Sequence, residues 1–402
     1  MKKLKIWIIK IGEKPDIEAK SPIRNYMLAN ELAKRGHFVT YFLSGFDHYL
    51  KKETIPDNSE IKINENLKLK TINGFGYKKN ISIRRYIDHK IIAKKFLGVA
   101  KKEEKPDVIL ASMPSYDLAY EAAKYAKLNN VPIIIDIRDI WPDFFLSILP
   151  KGLRYFAKLM ILLGNNKLKF SLKKSSGIVS INEDMLFWAL RKINLKKRNC
   201  DKVFYLGSPA VGAGNISRNK EFTVIYIGSF GSNSDPKILI QVAKKLPDVK
   251  FILIGSGGLF ENIKSISKDL KNVELAGWLE KSSIDKYLQK AHVGLLPTSI
   301  ESSGDFPNKT FTYLAAGIPL ISSYVGELAK EIEKEGFGLN YKYNDPNSLL
   351  EKIRVIKNNP TLYKEMSIKA RSVFREKFDS KKIYEDFADY IENIYSHNSG
   401  VN

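Results

Sequence analysis

Short apolar runs alternate with stretches of helical spacing along almost the whole chain. The first half predicts strands at Lys5–Ile9, Val39–Leu43, Val108–Ser112, Val131–Ile135, Gly177–Ile181 and Val203–Leu206. Between them lie helices over Arg24–Arg35, closed by a Gly36-His37 turn, over Tyr116–Leu128 and over Asp184–Arg191. Residues 44–100 are basic and poorly periodic, and read as strands and loops leading into a basic helix. The second half predicts strands at Phe222–Ile227, Lys250–Ile254, Val273–Ala276, Val293–Pro297 and Leu320–Tyr324. Its helices run from about Pro236 to Lys245, over Ile284–Ala291, from Pro307 to Gly317, from Glu327 through Glu333, from near Asp345, and from Pro360 onward. The tail from Ser396 is expected to be disordered. Strand–helix alternation of this kind predicts an α/β fold of two doubly wound parallel-sheet domains. The expected boundaries are 1–206, a small-residue linker at 207–220, and 221–379, with the amphipathic stretch 380–402 packing back on the first domain.

In such sheets ligands bind beyond the carboxyl ends of the strands. Several strands end there on glycine: Gly12, Gly228-Ser229-Phe230-Gly231, Gly255 and Gly277-Trp278. Each alone is a weak phosphate-loop signal. The stretch Asp305 to Ile321 carries more chemistry. Pro307 suits the start of a helix, Gly317 its end, and Lys309 sits in the first turn, where free N–H groups and the positive end of the dipole favour an anion. The bland alternative is a helix–strand unit with a solvated lysine. Behind Val131–Ile135 comes Asp136-Ile137-Arg138-Asp139-Ile140-Trp141-Pro142-Asp143, a group able to do acid–base or phosphate chemistry, or else an Arg–Asp pair pinning a loop. Residues 144–174 mix apolar, aromatic and lysine positions at helical spacing. They suit either a helix in a membrane interface or a buried helix with snorkelling lysines.

The net charge of +22 implies an anionic partner, although a lysine-rich composition contributes. The single cysteine, Cys200, excludes a disulfide framework, and the five histidines show no metal-ligand spacing. A reducing cytoplasm fits. The N-terminal apolar run is interrupted by Lys10 and reads as a strand rather than a signal peptide. No apolar run is long enough to span a bilayer.

Three segments in order and spacing resemble one family: Asp136 to Pro142, Phe222 to Gly231, and Pro307-Asn308-Lys309 with Tyr313 to Pro319. Together the two halves are similar to the GT-B glycosyltransferases, two Rossmann-like domains facing a cleft. The second half resembles the retaining family 4 type, in particular the subset that builds O-antigen, capsule or lipid-linked saccharides. The resemblance implies a hexosyl- or N-acetylhexosaminyl-transferase with a nucleotide-sugar donor, a UDP-sugar by family habit. It implies no cofactor, no required metal and no nucleic acid. Its acceptor would be a saccharide or a lipid-linked saccharide, and its place the cytoplasm, peripheral on the inner face of an anionic membrane. It implies catalytic roles for Asp139, Arg138 and Lys309. Donor contacts would come from Gly12, Gly228, Ser229, Phe230, Gly231, Gly255, Trp278, Asp305, Asn308, Thr312 and Glu327.

The chain departs from the family at two points. The glutamate pair of the common pattern falls on Gly304 and Thr312, with Asp305 and Glu301 nearby. The usual arginine after the first strand of the second half is replaced by small residues around Ser229, with Lys237 as the substitute. Two other classes compete. A sugar-nucleotide epimerase on the same fold needs acid–base groups on both faces of the sugar, and only the 136–143 cluster offers them. A polyanion-binding protein needs aromatics interleaved with basic residues on one exposed face. Here most aromatics fall at predicted strand and core positions.

Overall fold

The computed structural model describes residues 2–12, 23–48, 50–79, 82–143, 154–211, 219–231, 234, 236–298 and 306–400. The chain divides into two compact units, Met1–Tyr205 with Tyr384–Asn402, and Leu206–Ile383.

In the first unit the order is β1 (Lys5–Ile9), α1 (Arg24–Lys34), β2 (Phe38–Leu43), β3 (Phe46–Asp47), β4 (Lys52–Glu53), β5 (Glu60–Lys62), β6 (Leu67–Thr71), α2 (Ile83–Ala100), β7 (Val108–Ser112), α3 (Tyr116–Leu128), β8 (Ile133–Ile137), α4 (Arg154–Lys174), β9 (Gly177–Ser180), α5 (Glu183–Lys192) and β10 (Lys202–Val203). Eight strands form one sheet, β10-β9-β8-β7-β1-β2-β6-β5, parallel except for β5 against β6. The central strands are buried on both faces, so they read as continuous apolar runs. Trp7, Phe42 and Phe96 meet edge-on at centroid distances of 5.2 to 6.4 Å and anchor one core face.

The second unit runs β11 (Thr223–Ile227), α6 (Lys237–Ala243), β12 (Lys250–Ile254), α7 (Phe260–Ser267), β13 (Val273–Gly277), α8 (Lys281–Lys290), β14 (Val293–Leu296), α9 (Asn308–Ala315), β15 (Leu320–Ser322), α10 (Glu327–Glu335), β16 (Gly338–Asn340), α11 (Pro346–Lys357) and α12 (Pro360–Val373). The sheet is wholly parallel, β13-β12-β11-β14-β15-β16. Its order reverses between β11 and β14, which marks that edge as the place for a ligand.

The last helix, α13 (Ser380–Ser399), packs its Phe387 ring on Phe204 at 4.2 Å, and Tyr390 Oη donates to Cys200 O at 2.7 Å. The expected disorder from Ser396 is overturned. The helix continues to Ser399, held by bonds of Ser396 Oγ to Glu392 O and Asn398 Nδ2 to Ile394 O. The strand expected at Val131–Ile135 lies two residues later, because Pro132 has no N–H to give the ladder. The strand expected at Val203–Leu206 is only Lys202–Val203. The linker and the 144–174 segment lie partly outside the described residues. The described part of α4 is a packed helix: Leu168 and Leu172 are buried and Lys167 pairs with Asp117, while Leu162 and Leu163 are exposed.

Candidate functional site

The carboxyl edge of the second sheet is built from glycines that allow close approach. Gly228 ends β11, and its N–H donates to Ile254 O at 2.9 Å. Gly255 follows β12 at φ +142°, and any Cβ there would lie 1.7 Å from Gly228 O. The two turns are thus locked together by main chain, and only glycine fits at 255. Phe230 holds the turn from below: its N–H donates to Ser256 O, and its ring is fully buried against Tyr226 and Phe260. The Phe230 side chain is therefore core, which leaves its main chain as the part of the residue in the turn. Ser229 is exposed, and its carbonyl accepts from Tyr226 Oη at 2.8 Å. A Cβ on Gly231 would meet no described residue within 4 Å.

Lys309 enters this edge from the first turn of α9. Its ammonium lies 4.7 Å from the centroid of the Tyr226 ring. A Cβ placed on Gly228 would come within 2.1 Å of Lys309 Nζ, so the missing side chain at 228 is what admits the lysine. Among the described residues no carboxylate pairs with it. Burial alone pulls its pKa down from 10.5 to about 8. Beside it Thr310 Oγ1 is buried without a hydrogen-bond partner. Of the first-turn amides of α9, Thr310 N donates to Pro307 O at 2.9 Å, while Asn308 N and Lys309 N precede the first residues that can find an acceptor within the helix. The start of α9 therefore brings a positive charge and the positive end of the helix dipole to the Gly228 turn, and no carboxylate among the described residues answers them.

Two tyrosines escaped the sequence reading. Tyr226 gives the lysine a ring face and ties down Ser229. Tyr313 Oη accepts from Ile227 N at 2.9 Å and fixes α9 to β11, its ring fitting only because Gly294 lacks a Cβ. The sequence signal was a polar-tipped aromatic inside an otherwise aliphatic strand, Thr223-Val224-Ile225-Tyr226-Ile227.

The other expected donor residues are placed less tightly. Trp278 follows β13 and is 70% exposed. Asn308 is exposed at the first position of α9, and Thr312 is half-buried one turn on. Glu327 is buried in the first turn of α10, behind Gly326 at φ +77°. Asp305, Gly304 and Glu301 lie outside the described residues.

The first unit separates its acidic cluster into different tasks. Asp136 is fully buried. It accepts from Arg24 Nη2 at 3.2 Å and from Ser112 Oγ at 2.9 Å, and Arg24 also donates to Phe204 O and Tyr205 O. Asp143 accepts from Trp188 Nε1 and pairs with Lys192. Both are therefore structural, leaving Arg138 and Asp139, half-buried directly after β8, as the candidates for chemistry. Asp139 Oδ1 accepts from Ile140 N at 2.8 Å, and its charge acts favourably on Arg85, whose guanidinium stacks 4.7 Å over Trp141. His37 is structural too, linking Leu4 N and Glu392. Gly12 follows β1 at φ +77°, and a Cβ there would meet no described residue within 4 Å.

Among the described residues no three His, Cys, Asp or Glu side chains group as a metal site requires, and no helix is long and apolar enough to cross a membrane.

Residues 213–373 match the family described as glycosyl transferases group 1. An uncharacterised glycosyltransferase of Methanocaldococcus jannaschii is 29% identical over 175 residues, 41% of this chain and 48% of that protein. An O-antigen biosynthesis glycosyltransferase of Escherichia coli is 25% identical over 158 residues, 39% of this chain and 44% of that protein. The chain spans about half the length of the curated relatives it matches. Among solved structures, sucrose-phosphate synthase from Thermosynechococcus elongatus superposes with a TM-score of 0.74 at 16% identity, over 98% of this chain and 100% of that one. Anabaena HepE in complex with UDP superposes at 0.66 with 13% identity, over 97% and 100%. At such identities the likeness is one of fold, the GT-B type. The conclusion for this chain is that residues 213–373 are a glycosyl transferases group 1 domain, carried on a GT-B fold.

Proposed function

We propose that the protein is a retaining glycosyltransferase that moves a sugar from a nucleoside diphosphate sugar, a UDP-sugar first of all, to a saccharide or lipid-linked acceptor in cell-surface polysaccharide synthesis. The observation that carries this reading is Lys309: a half-buried ammonium with no carboxylate partner among the described residues, at a helix start and against a glycine turn. A buried charge of that kind costs stability unless something anionic completes it. A diphosphate fits the need, with two phosphates over the Gly228 turn and the α9 amides. The family match, the UDP bound by the Anabaena neighbour and the O-antigen relative support the same reading.

The chemistry follows from charge. As the bond from sugar to phosphate stretches, negative charge grows on the leaving diphosphate. Lys309 and the helix end are fixed donors for that charge and need no reorganisation. The sugar turns oxocarbenium-like, and the departing phosphate oxygen takes the proton of the acceptor hydroxyl on the same face, which retains configuration. In this reading Lys309 and the amides supply the neutralisation that a metal supplies elsewhere, and chelation of divalent ions leaves turnover intact. Arg138 and Asp139 are assigned to the transferred sugar and acceptor. The protein works at the cytoplasmic face of the membrane as a peripheral enzyme.

A thermal-shift series with UDP, GDP, ADP and CMP tests the donor site. One nucleoside diphosphate should raise the unfolding midpoint by mass action, and Lys309→Met should remove most of that rise. No rise with any of them would overturn the reading.

A further inference from the structure

The first unit contains a cavity of about 610 Å³ that the donor site does not use. It lies between the β3–β4 ladder, residues 74–79 and the start of α2. Its size suits a small organic ligand. Its walls carry Lys51, Lys52, Lys78, Lys79 and Arg84 against the single carboxylate Glu53. Lys52, Lys78 and Lys79 are exposed and enter no ion pair among the described residues.

Aromatic rings lie between these cations. Phe46 and Tyr77 pack at a centroid distance of 4.8 Å, and Phe75 is exposed with the Arg84 guanidinium 4.7 Å over its ring. The loop under them is fixed rather than soft. Buried Asp88 accepts from Gly76 N at 2.8 Å, Arg84 Nε donates to Gly76 O at 2.8 Å, and a Cβ on Gly76 would strike the Phe46 ring. His48, bonded to Tyr77 Oη at 2.6 Å, reports the local field. Burial first, then the charges of Arg85 and Lys51, hold its pKa down at about 4. The sequence placed most aromatics at strand and core positions, and the aromatic–basic interleaving is assembled here from residues 46–84.

We propose that this cavity binds an anionic saccharide: a sugar face packs on the Phe75 ring while a phosphate or carboxylate on that sugar is held by the lysines. The inference rests on the transferase reading and names its acceptor class as negatively charged. Apolar C–H faces of a sugar suit an aromatic ring, and strong oriented donors suit phosphate or carboxylate. Neither feature alone selects such a ligand, but rings and unpaired cations around one cavity do.

Titration of the full chain tests it, with lactose, lactose 1-phosphate, a glucuronate-containing disaccharide and inorganic phosphate as probes. Both charged disaccharides, or one of them, should bind at least about tenfold more tightly than lactose, and which one binds names the anion. A combined Lys52→Gln, Lys78→Gln, Lys79→Gln variant should lose about tenfold or more of that affinity. Phe75→Ala should weaken the disaccharides but not inorganic phosphate. An unchanged unfolding midpoint shows that the variants are folded. Equal binding of lactose, or no effect of the triple change, overturns the proposal. So does capture by phosphatidylglycerol vesicles or a random oligonucleotide that the triple change abolishes while the disaccharides fail to bind, since the patch then serves a membrane or a nucleic acid. The UDP shift is read on the same samples: its loss in the wild type condemns the transferase reading, whereas its survival without disaccharide binding condemns only this one.

Discussion

Both units withdraw a charge from water at the carboxyl end of a sheet, Asp136 fully and Lys309 by half, and they treat it in opposite ways. In the first unit Asp136, at the end of β8, meets Arg24 and Ser112, and Ser112 in turn bonds Asn25. Every member has its partner, and Arg24 reaches on to the carbonyls of Phe204 and Tyr205. In the second unit Lys309 has a ring face and a glycine turn but no counter-charge among the described residues. A buried charge that the chain itself neutralises is architecture. One that it leaves open is a place for a ligand. The sequence picked out Lys309, but it left Asp136 in one cluster with Asp139 and Asp143, with no sign of which carboxylate is structural.

The comparison breaks first at Asp136. Asp136→Asn should cost about 3–5 kcal/mol, because it strands the Arg24 guanidinium in a dry site. Denaturant unfolding would show it as a fall in midpoint at unchanged slope. A double change, Asp136→Leu with Arg24→Met, should recover much of the loss. A variant that keeps its stability but loses turnover would instead put Asp136 among the catalytic groups.

The next effect belongs to Gly255. Gly255→Ala places a methyl group 1.7 Å from Gly228 O at φ +142°, so the two turns must part. About 2–3 kcal/mol of stability should go with it, and the UDP-induced rise in midpoint should shrink as well. Nucleotide binding as strong as in the wild type would mean that the turns do not hold the diphosphate.

This contrast explains how much the sequence could show. Val108–Ser112 and Tyr116–Leu128 end where the apolar pattern ends, because their burial is dictated by their own residues. The edge strand Gly338–Asn340 was missed, since three residues become a strand only by pairing with β15. Helix α7 was missed too, having only Ile263 and Ser267 buried along a polar stretch. The partner of Asp136 is 112 residues away, so no local pattern distinguishes that carboxylate from Asp139. Lys309 was legible because helix start, lysine and following glycine lie within one short stretch. Tyr226 was not, because its role depends on where α9 returns.

Lys309 also predicts a pH dependence, spread over the range between its two pKa values and so slight at neutral pH. Its folded pKa of about 8 lies below the ordinary 10.5, so between these values the unfolded chain holds more protons. The ligand-free protein should therefore gain stability as pH rises from 8 towards 10.5. Diphosphate binding should move oppositely, since only the ammonium pairs with phosphate. Affinity should fall above pH 8 by up to about tenfold per pH unit. In Lys309→Met both slopes should shrink, and the ligand-free protein should be no less stable than the wild type at neutral pH. Slopes unchanged from the wild type would assign them to another group.

The smallest effect tests the far end of the donor site. Trp278 follows β13 with most of its surface in solvent, and its exposure cannot be explained by packing. If the nucleoside base lies there, Trp278→Ala removes one stacking face. That should cost about 1 kcal/mol of UDP affinity, roughly fivefold, with no change in unfolding midpoint or in the pH slope set by Lys309. Inorganic pyrophosphate, which has no base, should bind both proteins alike. The two probes divide the ligand: a loss seen with UDP and not with pyrophosphate places the base at Trp278 and the phosphates at Lys309. Equal losses with both would mean that the tryptophan supports the edge of the sheet rather than the ligand. No loss with either would confine the donor's grip to the two glycine turns and the start of α9, where the open charge lies.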